Sequence, residues 1–170
     1  MAHLPLEIER KYLIDRPNEA LLRAQSGCQI VAIEQVYLKK EEDGVSARVR
    51  RWEADGTVVY FLTEKRALSA LTRVEHEREI PFDTYERLKR DKADPACTVI
   101  RKTRYRIPYE GQCVEVDVFP FWEKQAIAEV ELASEEQPVF LPPYLTVRRE
   151  VTADKRYTNR AMARCIPTEE

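Results

Sequence analysis

Histidine and cysteine are too scarce in this chain for the enzyme classes that depend on them. The only two histidines are His3 and His76, and no Ser-His-Asp or Cys-His arrangement can be assembled from them. We interpret His76 as a solvated or hydrogen-bonded residue, because it alternates with Glu75 and Glu77 and falls on the opposite face of their strand. The four cysteines lie far apart without a C-x-x-C pair, which excludes a zinc knuckle or a redox motif and predicts reduced thiols.

Glycine is also rare, with four residues in the whole chain. A Gly-rich P-loop is absent, so any phosphate binding must use side chains rather than a backbone cradle. No linker, repeat or low-complexity stretch divides the sequence. A chain of 170 residues is long enough for one core, and we expect a single domain over residues 1–170.

Long apolar runs and an excess of one charge sign are missing as well. No stretch of 18 apolar residues is present, and the N-terminus lacks the charged and apolar regions of a signal peptide. We therefore expect a soluble, cytoplasmic protein with no membrane partner. Lys and Arg number 28 against 30 acidic residues, a net charge of -2, which argues against a general nucleic-acid binder.

Segments that alternate between apolar and polar residues dominate the chain and predict strands. Turn signals at Asp55-Gly56, at Glu110-Gly111 and at Glu42-Asp43-Gly44 join neighbouring strands. Beyond a first strand around residues 7–11, the predicted strands are 34–39, 45–52, 57–65, 72–80, 98–107, 112–119, 126–133 and 146–151. Eight or nine short strands predict a mainly antiparallel barrel or a strongly curved sheet.

Helices are few. The sequence predicts a short helix at residues 18–25 and a second one that begins at Asp83, the N-cap of a capping box, and ends near Lys92. A last helix is predicted from the cap Asp154 to Arg164. These helices are the candidates for covering the apolar faces of the strands.

The charged faces of the strands are sorted by sign. Glu7, Glu9 and Lys11 share one face of the first strand. One later strand offers only bases and another only acids, whereas a face designed for solubility mixes both signs. These sets are Arg48 with Arg50, Lys102 with Arg104 and Arg106, Glu115 with Asp117, and Glu129 with Glu131. Like charges on one face destabilise a sheet unless an opposite charge offsets them.

This segregation indicates faces that converge on a charged ligand. Lys and Arg bind phosphate oxygens through charge-assisted hydrogen bonds, and Mg²⁺ or Mn²⁺ prefers carboxylate and phosphate oxygens. A polyphosphate with a divalent cation satisfies both signs. If the sheet closes, the charged faces line a tunnel and the valines pack outward under helices, which inverts the usual apolar interior of a small barrel.

The ordered charged motifs resemble the CYTH domain of the triphosphate tunnel metalloenzymes. They run from Glu7-x-Glu9-x-Lys11 to Glu129-x-Glu131, and the segment 150–159 resembles the C-terminal signature of short bacterial members. The resemblance implies a mainly β (α+β) fold, an eight-stranded antiparallel closed β-barrel or tunnel with a few flanking helices and a C-terminal helix. Family habit leaves a homodimer plausible.

The resemblance also implies roles for individual residues. The metal, Mg²⁺ or Mn²⁺, would be held by Glu7, Glu9, Glu129, Glu131 and Asp117. Phosphates would be bound by Lys11, Arg48, Arg50, Lys65, Arg73, Lys102, Arg104 and Arg156. Glu75, Glu77 and Asp117 would complete the acidic wall and, with Lys65, form the catalytic set, where an acid supports a second metal or the attacking water.

The resulting hypothesis is metal-dependent hydrolysis of a small-molecule triphosphate, with inorganic tripolyphosphate split into pyrophosphate and phosphate. Thiamine triphosphate or nucleoside triphosphate hydrolysis and cyclisation of ATP remain alternatives, since they share the triphosphate contacts. A non-catalytic polyphosphate or nucleotide-binding module is the alternative from another class. Trp52 and Trp122 could stack on an organic base, although we interpret both as packing residues.

Overall fold

The computed structural model describes residues 6–41 and 44–170 and is dominated by strands. The strands are β1 (Leu6–Asp15), β2 (Gln29–Tyr37), β3 (Val45–Ala54), β4 (Thr57–Ala67), β5 (Thr72–Ile80), β6 (Ile100–Tyr109), β7 (Gln112–Val118), β8 (Gln125–Glu131) and β9 (Val147–Glu150). The helices are α1 (Glu19–Arg23), α2 (Phe82–Lys92) and α3 (Asn159–Arg164), with a 3-10 turn at Lys155–Tyr157.

Eight of these strands close into an antiparallel barrel. The order is β5-β4-β3-β2-β6-β7-β8-β1, and β1 returns to pair with β5. Glu7 lies opposite Arg73 across β1 and β5, and Glu9 lies opposite Glu131 across β1 and β8. The ninth strand, β9, adds to β1 outside this ring. The predicted eight-stranded closed barrel with flanking helices is confirmed.

Two of the predicted hairpin turns have the expected backbone. Asp55 and Gly56 have φ values of 52° and 75°, and Glu110 and Gly111 have φ values of 48° and 72°. Two successive positive φ angles are the mark of the type I′ turn, whose twist matches that of the flanking strands. Glu42 and Asp43, which belong to the third predicted turn, lie outside the described residues.

The apolar faces of the strands point outward and are covered. Val114, Val116 and Val130 belong to one buried cluster that includes Leu22 of α1 and Leu145 of the segment before β9. Val49 and Leu62 belong to a second cluster closed by Tyr85 of α2. The valines therefore pack outward, under two helices and a loop segment.

The barrel has the predicted tunnel fold, but part of its interior is an apolar core that the strand pattern did not predict. Leu13 shares the inward face of β1 with Lys11, and Ile127 shares the inward face of β8 with Glu129. Both belong to a buried apolar cluster that also contains Phe119, together with Tyr157 and Met162 from the C-terminal segment. One end of the interior is thus an apolar plug, and the charged residues occupy the rest.

Strand β2 begins at Gln29 and ends at Tyr37, not at 34 and 39 as predicted. Val31 and Ile33 are apolar although they face inward, opposite Arg104 and Lys102, so no alternation marks the start of this strand.

The helix starts also differ from prediction. Pro81 rather than Asp83 is the N-cap of α2, and no side chain caps this helix. The predicted C-terminal helix is interrupted, because Asp154 caps the 3-10 turn and Thr158 then caps α3. The ends at Lys92 and Arg164 are as predicted.

All four cysteines are free. None of the helices in the described ranges has the length and apolar character needed to cross a bilayer.

Candidate active site

The charged faces of seven barrel strands converge on a cavity of about 260 Å³, which we call the inner cavity. Eleven of the predicted site residues line it: Glu7, Glu9, Arg48, Arg50, Lys65, Glu75, Glu77, Lys102, Arg104, Glu129 and Glu131. They are brought together because alternate residues of each strand point inward once the sheet closes. Predicted phosphate ligands Lys11 and Arg73 line an adjoining cavity instead, described below.

Asp117 lies beneath this lining rather than on it. Its side chain is 0% exposed and accepts hydrogen bonds from Lys102 Nζ at 2.5 Å and from Arg104 Nε at 2.7 Å. Burial opposes its ionisation, but the charges of Arg104 and Lys102 outweigh that cost and hold the pKa of Asp117 below its ordinary value. With both oxygens engaged, Asp117 positions two bases, and the structure does not present it as a metal ligand.

Glu129 joins the acidic and basic sides of the cavity. It lies 3.1 Å from Lys11 Nζ and 3.0 Å from Arg104. Burial would raise the pKa of Glu129, yet the neighbouring cations Lys11 and Arg104 lower it to well below the usual range. Glu129 is therefore a carboxylate at neutral pH, and it is available to a cation only by exchanging partners.

Three more acids of the cavity are held by bases. Lys65 Nζ lies 2.7 Å from Glu7 and 2.9 Å from Glu75. Glu77 accepts hydrogen bonds from Arg50 at 2.8 Å and from the hydroxyl of Thr63 at 2.7 Å. These contacts fix the side chains in place before any ligand arrives, which is the preorganisation that electrostatic catalysis needs.

Two charged residues of the inner cavity form no ion pair with the residues that the structure describes. Among the described residues Glu131 forms no ion pair, and burial, Glu7 and Glu115 raise its pKa. Arg48 is 8% exposed and its Nε has no hydrogen-bond partner, and none of the carboxylates described lies within ion-pair distance of it. Burial and the nearby Arg48 charge lower the pKa of Arg50 to about 10. The lining thus has one acid and one base to offer to a ligand.

The donor chemistry of the acidic side fits a hard divalent cation. Glu9 lies directly opposite Glu131, and like charges so placed repel unless a cation lies between them. Carboxylate oxygens without thiol or imidazole are the donors that Mg²⁺ and Mn²⁺ prefer. As they stand, no three acidic, histidine or cysteine side chains within the described ranges converge closely enough to hold a metal, because most of the acids are turned toward bases.

Some predicted residues lie elsewhere, and some functional ones were not predicted. Arg156 does not line either cavity: its side chain is 65% exposed and pairs with Asp154 at 2.7 Å. Trp122 is a packing residue of the apolar plug, as expected, whereas Trp52 lines the inner cavity with Arg50 5.3 Å from its ring centroid.

Arg106 and Glu115 also line the inner cavity; both lie on the sign-sorted faces that the sequence predicted, but neither was assigned a role in the site. Asn159 reaches the cavity from α3, and the strand pattern gave no signal for it.

Comparison with known proteins agrees with this geometry. A family model described as the CYTH domain matches residues 5–142. The chain belongs to the CYTH family. Its inward-facing acids and bases are the motifs on which the resemblance was based.

Relatives within this family match along nearly the whole chain. An inorganic triphosphatase of Nitrosomonas europaea is 36% identical over 95% of this chain and 99% of the relative. An inorganic triphosphatase of Acetivibrio thermocellus is 34% identical over 90% of each chain. A crystal structure of an inorganic triphosphatase aligns with 99% of both chains at 32% identity and a TM-score of 0.59.

Proposed function

We propose that this CYTH protein hydrolyses inorganic tripolyphosphate to pyrophosphate and phosphate in the inner cavity, with Mg²⁺ or Mn²⁺ as cofactor. The observation that carries the proposal is the lining of the inner cavity, in which cations and carboxylates face each other while Arg48 and Glu131 form no ion pair among the described residues. A triphosphate with its divalent cation would pair with both. The names of the two curated relatives support the same reaction.

The basic residues hold and orient the phosphate chain. Arg104 is the best-anchored of them, since Asp117 and Glu129 fix its guanidinium from two sides. Arg48 has a free Nε to donate without losing a partner. Guanidinium groups bind phosphate oxygens in a bidentate manner, and a fixed array of them stabilises charge on the transferring phosphoryl group. We assign the remaining phosphate contacts to Arg50, Lys65 and Lys102, which line the inner cavity, and to Lys11 and Arg73, which line the cavity beside it.

The acidic residues have two tasks. Glu7, Glu9, Glu129 and Glu131 would hold the cation, which when bound acts as a Lewis acid on phosphate oxygens. Glu75 and Glu77 lie at the same cavity and hold Lys65 and Arg50 by ion pairs. From there either carboxylate can accept a hydrogen bond from water and orient it for in-line attack, the one task that phosphoryl transfer to water leaves to a side chain.

Phosphate release from tripolyphosphate, thiamine triphosphate and ATP tests this proposal, each substrate with Mg²⁺, Mn²⁺ or Ca²⁺. We expect the highest kcat/KM for tripolyphosphate with Mg²⁺ or Mn²⁺. Glu129→Gln should lower kcat by about 100-fold or more, whereas Glu64→Gln, an exposed position on β4, should keep the wild-type rate. Phosphate chains that bind without any release would indicate a binding module, and preference for ATP would indicate a nucleoside triphosphatase.

A further inference from the structure

A second cavity of about 530 Å³, which we call the outer cavity, lies beside the inner one and is lined by β1, β2, β3, β4, β5 and the C-terminal segment. Besides Lys11 and Arg73, four basic residues that do not line the inner cavity line this one: Lys40, Lys155, Arg160 and Arg164. Glu9 is the one carboxylate in the part of this lining that the structure describes. The outer cavity therefore favours an anion and lacks the carboxylates that a metal-bound ligand would need.

Arg160 is built into this cavity. Its guanidinium donates to Asp94 at 2.8 Å and to the Leu38 carbonyl at 3.1 Å, and it lies 5.5 Å from the ring centroid of Tyr37. Its Nε is buried and has no hydrogen-bond partner. The side chain is fixed by contacts on one side, while one donor remains unused.

The two cavities meet at residues that line both. Glu9, Arg48, Lys65 and Asn159 line the inner and the outer cavity alike. Arg48 is more than nine-tenths buried and its Nε has no hydrogen-bond partner. An unpaired buried donor is costly, so the Arg48 Nε–H at the junction points to an anionic ligand that accepts a hydrogen bond from it. A phosphate leaving the inner cavity would meet Arg48 and Lys65, which line both cavities.

We propose that the outer cavity is a second anion site, which takes a pyrophosphate unit while a triphosphate fills the inner cavity. This rests on the proposed function for the inner cavity. The unit is either free pyrophosphate, as the released product, or the trailing phosphates of a longer inorganic chain, because both present the same oxygens to Lys40, Lys155 and Arg160.

Calorimetry with the whole chain tests the site without requiring turnover. The protein is first saturated with magnesium and a non-hydrolysable imido analogue of tripolyphosphate, and pyrophosphate is then titrated. We expect one further pyrophosphate per chain. The double variant Lys40→Gln with Lys155→Gln should bind it at least about tenfold more weakly, since hydrogen bonds to charged groups contribute enough for such a factor.

The matched control removes two lysines that line neither the inner nor the outer cavity, by Lys39→Gln with Lys124→Gln. It should bind pyrophosphate as the wild type does. Equal binding by both double variants, or no pyrophosphate binding once the analogue is bound, would overturn the second site. If the analogue itself fails to bind, the proposed function is wrong. Pyrophosphate is then titrated into each double variant without the analogue, and equal binding by the two variants would again overturn the second site.

Initial rates distinguish the two sources of the unit. If free pyrophosphate occupies the outer cavity, added pyrophosphate should inhibit tripolyphosphate hydrolysis, and saturating tripolyphosphate should not relieve this inhibition. If the trailing phosphates of a longer chain occupy the outer cavity, KM should be lower for tetrapolyphosphate than for tripolyphosphate. The double variant Lys40→Gln with Lys155→Gln should lose this difference in KM. Either result supports the site, and the absence of both contradicts it.

Discussion

Two neighbouring glutamates of β8 should respond in opposite ways to the same isosteric change. Glu131 forms no ion pair with any described residue and is repelled by Glu9, which lies directly across from it. Glu129 is buried between Lys11 and Arg104. Glu131→Gln removes a repulsion, whereas Glu129→Gln leaves two buried cations short of a partner. The two variants therefore separate the contribution to stability from the contribution to catalysis.

The expected magnitudes follow from these contacts. Like charges directly opposite on a sheet cost up to about 1 kcal/mol, so Glu131→Gln should raise the metal-free free energy of unfolding by that amount or less. Breaking a buried pair costs about 3 kcal/mol, so Glu129→Gln should lower it by about that much. Both variants should lose turnover with magnesium, because each removes a proposed metal ligand.

Urea unfolding in EDTA at pH 7 measures the first effect, and phosphate release measures the second. Since the pKa of Glu131 is raised in the folded state, its repulsive cost is present above that pKa and disappears as pH falls below the unfolded value. The advantage of Glu131→Gln should accordingly vanish in acid. A shift in stability of the same sign for both variants, or wild-type turnover in Glu131→Gln, would refute this reasoning.

Three further predictions concern the basic side and the rim. Asp117→Asn should lower the free energy of unfolding by about 3 kcal/mol, since Lys102 and Arg104 lose their shared buried partner. Added tripolyphosphate should restore part of the lost stability in a thermal melt, whereas an unchanged urea midpoint would contradict the role of Asp117. Burial and Arg104 lower the pKa of Lys102 to about 8, so kcat/KM should fall as pH rises through about 8, where Lys102 loses its proton. Lys102→Arg should abolish this fall in kcat/KM, and a fall that persists in the variant would show that another group causes it. Trp52→Leu should raise KM for tripolyphosphate more than it lowers kcat, because Arg50 loses the ring that lies 5.3 Å from it; a fall in kcat alone would contradict this.

Face assignment and closure of the barrel were predictable to different degrees. The inward direction of Arg48, Arg50, Glu129 and Glu131 follows from the two-residue period of a strand. That period does not specify which strands pair, and the contact of β1 with β5 that closes the ring joins residues far apart in sequence. Closure was expected from the family resemblance rather than from the spacing.

Depth inside the barrel was not predictable from the pattern. Asp117 and Glu115 alternate identically with valines, yet Asp117 is fully buried beneath two bases while Glu115 lines the cavity. Leu13 and Ile127 continue charged faces, and only the packing of Tyr157 and Met162 shows that they form a plug. A strand pattern indicates the side of a residue, but its distance from the ligand depends on elements that come later in the chain.

The C-terminal segment gave the weakest signal. Arg156 and Arg160 were both predicted to lie on one helix, but Arg156 lies in a 3-10 turn capped by Asp154 and Arg160 in the separate α3 capped by Thr158. Arg156 pairs with Asp154 in solvent, and Arg160 lines the outer cavity. The interruption depends on local side-chain caps.

The products formed from tripolyphosphate test the central claim most directly. With magnesium present, ³¹P NMR of the wild-type reaction should show pyrophosphate and orthophosphate appearing in equal amounts as tripolyphosphate disappears, and Glu129→Gln should leave the substrate spectrum unchanged over the same time. Tripolyphosphate that persists with the wild-type protein under magnesium and manganese alike, or equal turnover by Glu129→Gln, would contradict the proposal that the charged interior of this barrel is a triphosphatase site.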